Sequence, residues 1–298
     1  MNTQFFIAVL AGAGGMIGWG FSEFAAKKSV DAIGTISSLV WAHVFGTILL
    51  FALLLSRTFV ADVPTALFLD STEWLGLLFF GALQAVVYYF AYKGFEKGQV
   101  SILSPIFASF AGMVALLSVL VFGEALTVLS ALALAIIFGG VILINLNVED
   151  FKAGRIRIKT VAGLREILIA TILATMWTLG WDRFSGGKDW MLYTTCMFVG
   201  MTIAAFFIAR LANVNLWEVK PGAWKFLWLI AIGEVVAYLA ITLGYASTTY
   251  TSIVAILSGA SSLPTIILAQ IFLKERMTRI QAVSSLIIIG GIVLLSLS

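Results

Sequence analysis

Phe122-Gly123-Glu124-Ala125-Leu126-Thr127 and Leu273-Lys274-Glu275-Arg276-Met277-Thr278 are two versions of one text, 151 residues apart. Sliding the chain along itself by that distance also sets Ser101 on Ser252, Gly139 on Gly290 and Gly140 on Gly291. Upstream, a shift of 150 pairs Trp74 with Trp224, Gln84 with Glu234, Tyr88 with Tyr238 and Gly94 with Gly244, and one extra residue near 246–249 absorbs the difference. Trp19 pairs more weakly with Trp177. Self-similarity at a fixed offset predicts two copies of one structural unit, which we place at 1–147 and 148–298.

Composition sets the medium in which these copies fold. Of 298 residues, 61% are hydrophobic and only 11% charged, against roughly 25% charged in a soluble domain, which excludes a water-soluble globule. Ten apolar windows can be drawn: 5–26, 33–55, 74–92, 99–122, 127–146, 165–182, 190–210, 223–243, 250–272 and 279–297. A membrane-crossing helix needs about 20 apolar residues, so each window reads as a span. The expected fold is all-α, a polytopic membrane protein of ten transmembrane helices. Five spans per copy is an odd number, so the second copy enters the bilayer from the opposite side, giving inverted repeats.

Orientation follows from Lys and Arg, which accumulate in short cytoplasmic loops. Fifteen of the 18 follow spans one, three, five, seven and nine, among them Lys27, Lys93, Lys152, Arg155, Arg210, Lys274 and Arg276. Only Arg57, Arg183 and Lys188 fall on the other side. The bias predicts outward-facing termini and a cytoplasmic linker at 147–164. The expected location is a prokaryotic inner or cell membrane, with the chain crossing many times among its lipids.

The one cysteine, Cys196, has no intrachain partner, and one cysteine with one histidine argues against a zinc site or a haem. No cofactor or metal is expected. The net charge of +3 is too small to read as nucleic-acid binding, and a homodimer is left open.

Three pieces of text coincide with a known family. The repeat ends, Gly123-Glu124-Ala125-Leu126-Thr127 leading to Gly139-Gly140-Val141-Ile142-Leu143 and Lys274-Glu275-Arg276-Met277-Thr278 leading to Gly290-Gly291-Ile292-Val293-Leu294, resemble those of EamA-type transporters of the drug/metabolite transporter superfamily. Trp19-Gly20 followed by Phe24 and Lys27 resembles that family's first-helix signature. The resemblance covers nearly the whole chain. It implies a ten-helix carrier working by alternating access, with a cavity between the repeats and often an export role for amino acids or related metabolites.

Polar groups in mid-membrane are expensive, which makes each a candidate. Glu234 lies near the middle of the eighth span, with Tyr238 one turn on and on the same face. Gln84 and Tyr88 hold the equivalent positions in the first repeat, so pseudo-symmetry would bring the two pairs across one cavity. Glu234 would then meet a substrate ammonium or take up a proton; the competing reading is a protonated acid that fixes packing. His43, mid-span in the second helix, could change charge near neutral pH or be a hydrogen-bonded core residue. Glu23 is spaced to pair with Lys27 along the helix or to line the cavity mouth, and it joins Glu234 and His43 as a candidate for proton coupling. Trp19, Tyr88, Trp177 and Tyr238 offer aromatic faces that attract cations. Ser101 and Ser252 are candidates for ligand contact, set against close helix packing. Gly14-x-x-x-Gly18 and the Gly-Gly pairs predict surfaces where helices touch. Glu124 and Glu275 each precede a span closely enough to offset the positive end of that helix.

Two functions remain. One is a secondary carrier exporting small zwitterionic metabolites such as amino acids; the other is proton-coupled efflux of lipophilic cations. A membrane enzyme is not expected, because His43, Glu234 and Cys196 fall in different spans without a catalytic motif.

Overall fold

A computed structural model describes residues 3–59, 69–114, 117, 127–143, 161–248, 254 and 257–295. Among them, every regular element is helical. The first half supplies α1 (Thr3–Ile33), α2 (Thr35–Phe59), α3 (Ser71–Lys97), α4 (Val100–Ala108) and α5 (Val128–Leu143). The second supplies α6 (Leu164–Ser185), α7 (Trp190–Leu211), α8 (Trp224–Ser247), α9 (Ser262–Leu268) and α10 (Arg279–Leu295). Six of them, α1 to α3 and α6 to α8, are long and apolar enough to cross a membrane; shorter apolar helices cover 100–114, 131–140, 257–273 and 282–294.

Helix ends follow local chemistry. Asp70 accepts the Glu73 amide at 2.7 Å while Glu73 accepts the Asp70 amide at 3.0 Å, a reciprocal box that starts α3. Asp189 caps α7 by accepting the amides of Met191 and Leu192, both at 3.1 Å, and it receives both guanidinium arms of Arg57 at 2.7 and 2.8 Å. One carboxylate thus ties the end of α2 to the start of α7. Burial raises the Asp189 pKa, but the Arg57 and amide bonds outweigh it and hold the group below its ordinary value. The stabilisation is therefore present above the ordinary carboxylate range and is lost as pH falls through the lowered value.

The fourth and ninth windows do not form single uninterrupted helices. The first breaks at Ser109, whose amide turns back to Ile106 O at 3.2 Å. The second breaks at Ala260–Ser261, where Pro264 has no N–H to offer the carbonyl four residues back, and the Leu263 amide takes that oxygen at 2.9 Å instead. Ser109 and Ala260 stand 151 residues apart, the offset of the repeated text. After α9 the chain makes a π-helical turn at Ala269–Leu273 and reverses at Lys274, whose φ is 56°.

Helix packing carries the same correspondence. α1 packs on α8 as α3 does on α6, α2 meets α8 as α3 meets α7, and α1 meets α9 as α4 meets α6; α2–α7, α4–α9, α5–α10 and α4–α10 also pair across the halves. The α1–α8 seam is close because glycine lines it. A Cβ at Gly18 would lie 2.8 Å from the Ala237 amide nitrogen, and one at Gly233 would lie 3.1 Å from that of Ser22. Gly14 faces Ala240, so the expected small-residue surface is used here. Gly140 meets Ile288 and Gly291 meets Ile137 across α5–α10, whereas Gly139 and Gly290 face open space.

Two expected roles need correction or fall outside view. Glu275 accepts the amides of Val100 at 3.1 Å and Ser101 at 2.9 Å, so it satisfies the start of α4, in the other half, rather than the span that follows it in sequence. The reversal at Lys274 accounts for this by turning the carboxylate back onto the bundle. Glu124, Ser252 and most of the linker at 147–164 lie outside the described residues.

Gly18→Val should destabilise the bundle by about 1–3 kcal/mol, the cost of overpacking a close contact. The measurement is the midpoint of SDS-induced unfolding. Gly139→Ala, in open space, is the control that should leave the midpoint unmoved.

Candidate functional site

A cavity of about 40 Å³ opens among α1, α3, α4 and α6, room for a few water molecules. α1 turns Trp19, Ser22 and Glu23 to it, three and four residues apart and therefore on one face. α3 contributes Gln84, Tyr88, Ala91, Tyr92 and Phe95, and α6 contributes Ala174, Trp177 and Thr178. The wall is completed by Phe107, Ala108 and Phe110 at the break in the fourth window and by Ser261 at the break in the ninth. Both discontinuities thus border the cavity, the kind of place where irregular backbone is tolerated inside a membrane.

Glu23 is the carboxylate on this wall. It is 9% exposed and receives the hydroxyl of Ser104 from α4 and that of Thr265 from α9, the latter at 3.0 Å. The expected pairing with Lys27 is not formed. Lys27 instead donates to Asp31 Oδ1 and to the Phe95 carbonyl, both at 2.8 Å. The ammonium lies one turn further on and reaches the end of the bundle, while two hydroxyls from neighbouring helices already meet the acid.

Glu234 stands behind the wall, not on it. It is 0% exposed. Its Oε1 accepts from Tyr92 OH at 2.9 Å and from Ser22 Oγ at 3.3 Å, and both donors line the cavity. His43, also fully buried, brings Nε2 to 3.3 Å from Oε2. That distance suits an ion pair, but the angles do not make a hydrogen bond, and both atoms are otherwise unpartnered.

Tyr238 also lies behind the wall. Its hydroxyl meets the Gln84 side-chain amide and the Tyr88 hydroxyl, the latter at 3.2 Å. Its ring is met edge-on by Trp19, Trp177 and Phe198 at centroid distances of 5.6, 5.8 and 5.3 Å. The two polar pairs expected to face each other therefore do meet through Gln84, Tyr88 and Tyr238, while Glu234 is held by Tyr92. Trp19 Nε1 and Gln84 Oε1, on cavity-lining residues, have no hydrogen-bond partner.

Ser101 stands apart, buried at the start of α4 with its hydroxyl unpartnered. Ser22 and Thr265 are the residues that sequence reasoning passed over. Ser22 had a signal in its spacing, three residues after Trp19 on the same helical face; Thr265 had none beyond its place after Pro264.

A family model described as the EamA-like transporter family matches the chain twice, over residues 6–146 and 161–297. The chain belongs to the EamA-like transporter family. No curated protein matches its sequence. A solved crystal structure 16% identical to it aligns with a TM-score of 0.68 over 96% of this chain and 95% of the other, a likeness of fold alone. This EamA-like chain is accordingly an integral, multi-pass membrane transporter, and its two-copy text is the family's two-repeat layout.

Tyr92→Phe removes one of two hydroxyls from a dry carboxylate. An unsatisfied buried polar group costs about 1–3 kcal/mol, so the variant should unfold at a lower temperature in detergent. An unchanged melting point would show that Glu234 does not depend on that hydroxyl.

Proposed function

We propose that the protein is a secondary carrier that exports small amphipathic metabolites, amino acids or similar zwitterions, by alternating access. In this reading the halves 1–147 and 148–298 are oppositely inserted five-helix units that together cross a prokaryotic cell membrane ten times. The observation that carries it is the cavity wall itself, which joins residues of both halves, an acid, several aromatic faces and a break in each of two corresponding helices.

Each part has a task. Glu23 would receive the substrate ammonium in a charge-assisted bond, the stronger class of hydrogen bond. Trp19 Nε1–H would donate to the substrate carboxylate, and the faces of Trp19, Tyr88 and Trp177 would hold the cation further. The breaks at Ser109 and Ala260–Ser261 let parts of α4 and α9 tilt without unwinding a whole helix, so the halves can rock and expose the cavity to one side at a time. Family membership points to transport, and we assign no catalytic step.

A second reading, proton-coupled efflux of lipophilic cations, is favoured by one observation. Among the described residues the cavity wall carries no Lys or Arg to meet a carboxylate. Trp19 Nε1–H is the feature that keeps a zwitterion first.

Proteoliposomes holding the pure protein should show saturable flux of at least one amino acid. Glu23→Gln should weaken substrate binding roughly tenfold or more, because a bond to a charged group contributes about 1.5–3 kcal/mol. Flux of tetraphenylphosphonium without flux of any amino acid would select the second reading. Absence of both would overturn the carrier assignment to this cavity.

A further inference from the structure

Around Glu23 three helices bring oxygen atoms together. Its Oε2 meets Ser104 Oγ of α4 and Thr265 Oγ1 of α9, the latter at 3.0 Å. Thr265 Oγ1 also lies 3.2 Å from the Gly20 carbonyl of α1 and 3.0 Å from the Ser261 carbonyl at the break before α9. A threonine hydroxyl has one hydrogen to give, yet three acceptor oxygens crowd around this one. The ammonium one turn along α1 cannot relieve them, because Lys27 is held by Asp31 and the Phe95 carbonyl. Among the described residues, the adjoining cavity wall has no Lys or Arg.

A small cation supplies the positive centre that these oxygens lack. Thr265 can turn its hydrogen to the Ser261 carbonyl, one helical turn back. Its lone pairs then join those of Ser104 Oγ, Glu23 Oε2 and the Gly20 carbonyl. A proton on the carboxyl would serve one of these oxygens at a time, whereas a cation at their centre serves all four. Cations the size of Ca²⁺ take oxygens at about 2.3–2.6 Å, which sets neighbours at right angles roughly 3.2–3.7 Å apart, so the cluster need open by only a few tenths of an ångström. One carboxylate balances one positive charge, which selects Na⁺, of nearly that size, over a divalent ion. Carbonyls beside an interrupted helix are where membrane carriers hold such ions, and the break at Ala260–Ser261 adjoins this cluster.

We propose that Glu23, Ser104, Thr265 and the Gly20 carbonyl form a site for one Na⁺, reached from the cavity, and that Na⁺ and the ligand ammonium exclude each other there. The second half rests on the carrier reading above, which gives the ammonium to Glu23. Because Glu23 lines the cavity, the ion arrives hydrated and sheds water as the oxygens close on it. Two positive charges beside one carboxylate would leave a net charge in a place that cannot solvate it. Arrival of either cation therefore expels the other.

Purified wild-type protein at mildly alkaline pH should bind ²²Na⁺ saturably, with a single ion per chain. Thr265→Val and Ser104→Ala should each weaken that binding roughly tenfold or more. Thr265→Ser, which keeps the hydroxyl, and Gly139→Ala should bind as the wild type does. Folded wild-type protein without saturable ²²Na⁺ binding overturns the site, and so does binding that Thr265→Val and Ser104→Ala both leave unchanged. Whichever of leucine and tetraphenylphosphonium the proteoliposomes transport should displace ²²Na⁺ from the purified protein. A transported probe that leaves ²²Na⁺ in place overturns the mutual exclusion. Thr265-dependent ²²Na⁺ binding without flux of either probe defeats the carrier reading, and the exclusion with it, but not the ion site.

Discussion

Everything inside this bundle answers to the cost of keeping carboxylates where water and lipid cannot solvate them. A buried unpaired charge in low dielectric is far more expensive than any single packing contact can offset. Glu234 and Glu23 survive because hydroxyls reach them from other helices: Tyr92 and Ser22 for the first, Ser104 and Thr265 for the second. Those bonds join α1 to α8, α3 to α8, α1 to α4 and α1 to α9. The polar core therefore links four of the elements that border the cavity, and moving any of them changes how well an acid is satisfied.

Close packing is what lets short hydroxyls do this. Ser22 can reach across to α8 because Gly18 and Gly233 bring the two backbones into contact. Elsewhere the ends of the bundle are pinned by ion pairs that need no such proximity, as Arg57 pins Asp189 and Lys188 pins Glu73 at 2.7 Å. Charged connections thus lie at helix ends, while the two interrupted helices meet at the cavity.

Much of this could be read from the sequence, and the reasons for the rest are physical. Hydropathy located α2, α7 and α8 within a few residues, but α1 runs to Ile33, past its apolar window, because Lys27-Lys28-Ser29-Val30-Asp31-Ala32-Ile33 continues the helix with Ser29 and Val30 buried. Gln84, Tyr88 and Tyr238 meet as the repeat implied. The same logic placed Glu234 in the cavity, and there the helix face was judged too coarsely: one turn of α8 separates facing a cavity from facing the residues that line it. Glu23, left open between pairing with Lys27 and lining the cavity mouth, is the acid on the wall. Glu275 could not be assigned to α4 from local text, since its partners are 174 and 175 residues away. Cross-helix hydroxyl bonds leave no periodic trace, which is why Thr265 went unnoticed.

The central claim is that the cavity between the halves opens to each side of the membrane in turn. Cysteine at Ala174, on the cavity wall, in a background with the buried Cys196 replaced, tests it with a membrane-impermeant thiol reagent applied to right-side-out and inside-out vesicles. The account predicts labelling from either side, with added transported ligand shifting the balance between the two rates. A residue that reacts from neither side, or at ligand-independent rates from both, would contradict it.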